Sequence, residues 1–192
     1  VTDEPGEVVV SEISERYRRV AAQFTARVSA VPDGAWDNPA PCEGWVACDV
    51  VGHLAEWLPA FFFGRWDIEA PPIPPVDEDP AGAWGAVNGT IQAALDAPEI
   101  AGRKRDTPLG PSTFEETIDT ICTGDVLVHT WDLARATGLD ETLDREEVHR
   151  YLAGSEPYEG AMRESGHYGP RVEVPDDADE QTRLIAFTGR HP

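Results

Sequence analysis

Lysine is almost missing from this chain. Lys104 is the only one, and the 15 basic residues face 36 aspartates and glutamates, for a formal net charge of −21. So acidic a surface repels phosphate backbones and anionic lipid head groups, which argues against nucleic acid and membrane surfaces as partners. Cysteine is scarce as well: Cys42, Cys48 and Cys122 are odd in number and form no CxxC pair. Neither a disulfide framework nor a zinc ribbon is expected from them. Long apolar runs are also lacking. The longest, Trp57 to Phe63, is interrupted by Pro59 and is too short to span a bilayer. The stretch Val1 to Val10 carries three acids and no Lys or Arg, so it lacks the basic flank of a signal peptide. These absences point to the cytoplasm as the expected compartment.

What is present is an ordinary globular composition of 192 residues, 41% hydrophobic and 27% charged, enough for a packed core without covalent staples. After an acidic start expected to fray, Ser11 stands as an N-cap. Ile13, Tyr17, Val20, Phe24, Val28 and Val31 then recur at helical spacing, predicting a first helix that ends near Pro32-Asp33-Gly34. A loop from Trp36 to Gly44 precedes a second helix from about Val46 to Arg65, with an inward stripe of Val50, His53, Trp57 and Phe61 and a kink at Pro59. The proline-rich acidic segment Ala70 to Pro80 reads as a surface connection, and Trp84, Val87, Ile91 and Leu95 mark a third helix. Gly102 to Pro111 is a loop or short hairpin. Thr113 with Glu116 forms a capping box that opens the longest helical pattern, running to Thr137 with Gly138 as its stop. A fifth helix after Asp144, an extended stretch from Tyr168 to Pro175 and a short helix from Thr182 to Phe187 complete the chain. With no internal repeat and no regular series of strands, the expected fold class is all-α: a four-helix bundle over about 11–138 with a C-terminal extension over about 139–192, in one domain.

One face of the fourth helix carries unusual residues. Asp125 and His129 are four apart, so both side chains project from the same side. Ile118, Cys122, Asp125, His129, Asp132 and Ala136 extend that face in steps of roughly three and four, placing two carboxylates and a histidine on the stripe expected to be buried. Buried charge costs several kcal/mol per group unless it is paired or bound to a metal. His53, on the inward stripe of the second helix, is the natural third member. His53, Asp125 and His129 together would offer three ligands to Zn²⁺, or to Ni²⁺, Fe²⁺ or Mn²⁺, and leave open positions. Asp132, and Asp49 or Glu56 beside His53, are candidates to orient the imidazoles. Local ion pairing and a hydrogen-bonded core histidine account for the same spacing without a metal. Cys122 reads as a small buried residue, and His149, His167 and His191 as surface groups. The cluster Trp57, Phe61, Phe62, Phe63 and Trp66 reads as core or pocket wall.

Two segments resemble a known family. PCEGWVACDVVGHLAEW, spanning Pro41 to Trp57 with Asp49 and His53, and DVLVHTWDLARATG, spanning Asp125 to Gly138, resemble the signatures of the mycothiol-dependent maleylpyruvate isomerase N-terminal domain family in the DinB-like superfamily. The closing VPDDADEQTRLIAFTGRHP resembles the tail of a subgroup of small uncharacterised members. The resemblance implies a DinB-like four-helix bundle with one divalent metal on His53, Asp125 and His129. It also implies a low-molecular-weight thiol, mycothiol or bacillithiol, as cosubstrate for isomerisation or transfer to an electrophile. Two departures bear on the reaction: the isomerase has Glu where Asp125 stands, and it carries a further domain where about fifty residues follow Gly138 here. Maleylpyruvate is therefore not the expected substrate, and no arginine clamp for a dicarboxylate stands out, Arg65, Arg135 and the Arg103 to Arg105 loop being the nearest candidates.

The leading expectation is a metal-dependent, thiol-using transferase or isomerase acting on a small electrophile, with Trp45, Trp57 and Trp131 as pocket walls and no residue assigned to catalysis. The alternatives are a metal- or small-ligand-binding bundle without turnover, and an interaction bundle whose polar stripe is paired internally. A homodimer is compatible with each.

Overall fold

The computed structural model describes residues 10–108, 110–164, 166 and 168–192. The acidic start over residues 1–9 and the surface role expected of His167 lie outside the described residues. The fold is all-α apart from one small hairpin. Four long helices form the bundle: α1 (Glu12–Ala30), α2 (Ala47–Phe62), α3 (Pro80–Leu95) and, after the short α4 (Pro98–Ala101), the hairpin β1 (Lys104–Thr107) and β2 (Gly110–Thr113), and α5 (Phe114–Thr117), the long α6 (Thr123–Thr137). Packed in a ring, α1 neighbours α3 and α6, and α2 also neighbours α3 and α6. The two helices carrying the candidate ligands, α2 and α6, are therefore adjacent. No helix among the described residues is long and apolar enough to cross a membrane.

The helix starts follow from local chemistry. Ser11 Oγ accepts from the Ser14 N–H at 3.1 Å, and Asp79 and Asp144 cap α3 and α7 (Arg145–Ser155) in the same way. Thr113 and Glu116 form the expected reciprocal box at α5. Gly138 closes α6 with φ 71°, a conformation that a side chain opposes. Pro59 sits inside α2 without ending it.

The long fourth pattern is not one uninterrupted α-helix. Between α5 and α6, Ile118–Cys122 winds as a π-helix. The backbone N–H of Thr123 bonds to the Ile118 carbonyl five residues back, and its hydroxyl donates to the same oxygen at 3.1 Å. Such an inserted residue rotates everything downstream relative to the first turn. The insertion presents Asp119 to two arginines, Arg16 at 2.6 Å and Arg150 at 3.3 Å. Arg150 lies on α7 and also pairs with the buried Glu147 of the same helix at 2.5 Å, so its contact with Asp119 ties the C-terminal part to the bundle.

A second correction concerns α2. Its core face is Val50, Val51, Leu54, Leu58 and Phe62, all fully buried, whereas His53, Trp57 and Phe61 are only half-buried. Of the expected inward stripe, only Val50 reaches the core. The other three lie at the edge of the apolar arc, where α2 meets α6 and solvent.

The C-terminal part is built from α7, a 3₁₀ turn (Glu156–Tyr158), α8 (Glu159–Glu164), the extended stretch after Tyr168 and α9 (Glu180–Phe187). Leu143, Val148, Leu152, Leu184, Ile185 and Phe187 join the same apolar core as the bundle helices. One contact makes glycine necessary in α6: a Cβ on Gly124 would lie 2.1 Å from Tyr151 Cε2. Alanine ordinarily favours a helix over glycine by about 0.5–1 kcal/mol. Here Gly124→Ala is expected to destabilise instead, by about 1–3 kcal/mol, because the Tyr151 ring must move. Urea unfolding of the variant checks the sign.

Candidate metal centre

The centre forms where the loop before α2, the outer edge of α2 and the middle of α6 meet. The loop is shaped by its own hydrogen bonds. Trp45 N–H donates to the Cys42 carbonyl at 3.1 Å, across a turn whose third residue, Gly44, has φ 79°. Asn38 Nδ2 donates to the Ala136 carbonyl at 3.1 Å and fastens the loop to α6. As a result Trp45 lies over both histidines, with ring centroids 5.2 Å from His53 and 5.9 Å from His129.

His53, Asp125 and His129 offer donor atoms that all lie within 4.8 Å of one another. His53 Nε2 is 3.4 Å from Asp125 Oδ2, and His129 Nε2 is 3.4 Å from Asp125 Oδ1. Two ligands at about 2.1 Å from a tetrahedral ion stand roughly 3.4 Å apart, so the spacing fits a small divalent cation. His53 and Asp125 keep 30% and 27% side-chain exposure against 6% for His129. The centre is therefore reached from solvent, less enclosed than the helical stripe predicted. Trp57 Nε1–H donates to Asp125 Oδ2 at 3.0 Å and fixes the carboxylate.

The electrostatics fit a cation at this point. Burial opposes ionisation of Asp125, yet the two histidines hold its carboxyl well below the usual carboxylate range. Burial likewise opposes charging His129, but Asp125 and Asp132 outweigh it and raise the imidazole to about 9. The two carboxylates thus favour positive charge at this point, whether carried by the imidazole or by an ion.

Behind His129 stands Asp132, fully buried, with Oδ2 2.9 Å from His129 Nδ1. Arg190, from the far end of the chain, meets both oxygens of Asp132, Nε to Oδ1 at 2.6 Å and Nη2 to Oδ2 at 2.7 Å. Cys42, His129 and Asp132 form a second group with metal-ligand spacing. That group already holds a cation, the Arg190 guanidinium, which also reaches Cys42 Sγ at 3.3 Å. The first group is the one left for an ion.

Two expected neighbours of His53 are elsewhere. Asp49 is exposed and accepts from the Val46 N–H at 2.8 Å, which makes it part of the α2 cap. Glu56 is exposed on the outer face. Neither orients an imidazole, because residues three or four away on an α-helix reach His53 only if both side chains lean the same way. Cys122 is buried in the core. Trp131 is buried beneath Arg135, whose guanidinium lies 4.4 Å over the ring. His149 and His191 are exposed. The arginines considered for a clamp are engaged elsewhere, Arg135 with Glu141 at 2.6 Å, Arg105 with Asp67, and Arg65 over Phe61 at 4.4 Å. The arginine at the centre, Arg190, carries no spacing signal. Its only trace in the sequence is the unmatched buried charge of Asp132.

No solved structure matches this chain. The family model of the mycothiol maleylpyruvate isomerase N-terminal domain matches residues 17–134. Two uncharacterised proteins from two strains of Mycobacterium tuberculosis are each 32% identical over 182 residues, covering 91% of this chain and 95% of the relative. The family match spans the loop, α2 and most of α6, the elements that assemble the centre, and the relatives extend the likeness through the C-terminal part. The chain belongs to the mycothiol maleylpyruvate isomerase N-terminal domain family.

Proposed function

We propose that this protein binds one divalent metal ion through His53, Asp125 and His129 and uses it, with a low-molecular-weight thiol of the mycothiol type, to transfer or isomerise a small electrophile. The observation that supports this reading is the convergence of two imidazole nitrogens on the two oxygens of one carboxylate, each 3.4 Å away. Zn²⁺ suits this nitrogen and oxygen set, and Ni²⁺, Fe²⁺ or Mn²⁺ accept the same donors. Bound there, the ion would lower the pKa of a thiol and supply thiolate at neutral pH.

The chain's own groups have distinct tasks. Trp57 orients Asp125, and Trp45 packs against both histidine rings. The protein's own thiols are poor nucleophiles. Burial, with Asp132 beside it, pushes Cys42 up to about 11, and burial raises Cys48 and Cys122 too. The thiol cosubstrate is taken from the family's mycothiol-using member, and it is compatible with a chain whose own thiols are held protonated. The strong negative charge makes small molecules, and not nucleic acid, the partners to test.

A second reading, a metal- or small-ligand-binding bundle without turnover, draws on Trp57. Its N–H occupies Asp125 Oδ2, and its ring stands 5.9 Å from His53 at the mouth. Metal analysis of untagged protein tests the common part of both readings. About one ion per chain is expected; less than about 0.1, unchanged after Zn²⁺ or Ni²⁺ is added and excess removed, overturns both. Turnover by the loaded protein with a panel of thiols and electrophiles favours the enzyme, and its absence across the panel favours the binding module.

A further inference from the structure

Resting on that metal-centre reading, we infer that Arg190 is a positioning residue of the centre, through which the C-terminal tail holds His129 in its ligand orientation. Arg190 lies 58 positions after Asp132 and grips both of its oxygens with Nε and Nη2, at 2.6 and 2.7 Å. This is a fork-on-carboxylate pair, in which guanidinium geometry sets direction as well as charge. A carboxylate so held remains an acceptor. With a cation on the other side of the ring, the proton shared with Asp132 at 2.9 Å would stay on Nδ1, and Nε2 would turn its lone pair toward the ion between Asp125 and His53.

The fold delivers Arg190 to this place by a tight crossing. Gly189 has φ 88°, and a Cβ there would lie 2.9 Å from Gly169 Cα and 3.0 Å from the Gly169 carbonyl carbon, so the tail passes over Gly169 only with glycine at position 189. Arg163 fastens both strands of the crossing, donating to the Phe187 carbonyl at 2.6 Å and to the Gly169 carbonyl. Below it, Leu184, Ile185 and Phe187 are fully buried. The tail is thus anchored in the core one turn before it reaches the centre. It also contacts the loop that carries Trp45, through Cys42 Sγ at 3.3 Å. A salt bridge serving only to neutralise a buried charge would be satisfied by any cation. This one is bidentate and shares its acceptor with a ligand imidazole.

Competition titration with Zn²⁺ and Co²⁺, using a chelator of known affinity, on folded wild type, R190Q, R190K, D132N and the R190Q/D132N double variant tests the role. Outer groups that orient ligand histidines are worth about 10–100-fold in metal affinity. R190Q is expected to weaken binding by that factor and to change the visible spectrum of the Co²⁺ form. R190K, which keeps the charge and loses the fork, is expected to fall between R190Q and wild type. D132N is expected to weaken binding similarly, with R190Q adding less than about threefold on top of it, since both act through one hydrogen bond. Should R190Q not fold, a loss of more than about threefold in R190K carries the same test. R190Q binding Co²⁺ within about twofold of wild type with an unchanged spectrum overturns the inference, as does full additivity of R190Q and D132N. A wild-type chain that binds no metal overturns the metal-centre reading itself, an outcome separate from a metal-binding wild type with an indifferent Arg190.

Discussion

Alanine in place of His129 is expected to abolish metal retention, lowering affinity by more than about 100-fold, beyond the range typical of residues that only orient ligands. His129 is the one residue common to both donor clusters, and it faces Asp125 through Nε2 and Asp132 through Nδ1. Removing it leaves Asp125 with His53 and the Trp57 N–H, and Asp132 with Arg190. Both carboxylates keep a partner, so the cost to folding is limited to about 1–3 kcal/mol. The variant should retain its helical circular dichroism spectrum while losing bound Zn²⁺ in elemental analysis. Full metal content in folded His129→Ala would remove His129 from the ligand set and overturn the proposed site.

The largest effect on stability is expected at the opposite seam. Trp84 on α3 is buried, packs edge-on to Phe24 of α1 at 4.7 Å, and donates its indole N–H to Thr25 Oγ1 at 2.8 Å. Trp84→Ala removes this volume from between two helices held by their own cores, so the cavity closes only in part. A loss of about 3–5 kcal/mol is expected, a large share of the roughly 5–15 kcal/mol by which domains are stable. Urea unfolding measures it, and a loss below about 1 kcal/mol would mean that α1 and α3 collapse onto the gap. The metal centre lies on the far side of the ring of helices, between α2 and α6. Metal affinity should therefore hardly change in the folded fraction, which separates this variant from His129→Ala.

The local rules of the chain carried much of the architecture. Ser11, Thr113 with Glu116, and Gly138 mark ends of helices because capping is a matter of neighbouring atoms, and the structure uses each as the sequence predicts. The stretch predicted as a loop or hairpin closes as β1 and β2. Spacing on one helix put Asp125, His129 and Asp132 on a common side, and His53 was found by its odd place in an apolar segment.

Other features depended on elements far apart in the chain. The periodicity of α2 named His53, Trp57 and Phe61 as inward, whereas Leu54, Leu58 and Phe62 fill the core. A helix with apolar residues over a wide arc has no single inward direction until its neighbours choose one. The π-turn at Ile118–Cys122 leaves no mark in the spacing of apolar residues, and the partners of its Asp119, Arg16 and Arg150, come from α1 and α7, far along the chain. Asp49 looked like a partner for His53 and serves the helix cap.

By itself, then, the sequence determined the long helices, several of their ends, the candidate donors on α2 and α6 and the strong negative charge. These rest on interactions within a few residues or on total charge. Only the tertiary structure decided which face of α2 is core, that the centre opens to solvent, and that Arg190 answers the buried charge of Asp132. Those outcomes depend on the packing of α2 against α6 and on the close passage of Gly189 over Gly169. Contacts at such separations leave no period in the sequence, because a period records only neighbours on one helix or strand.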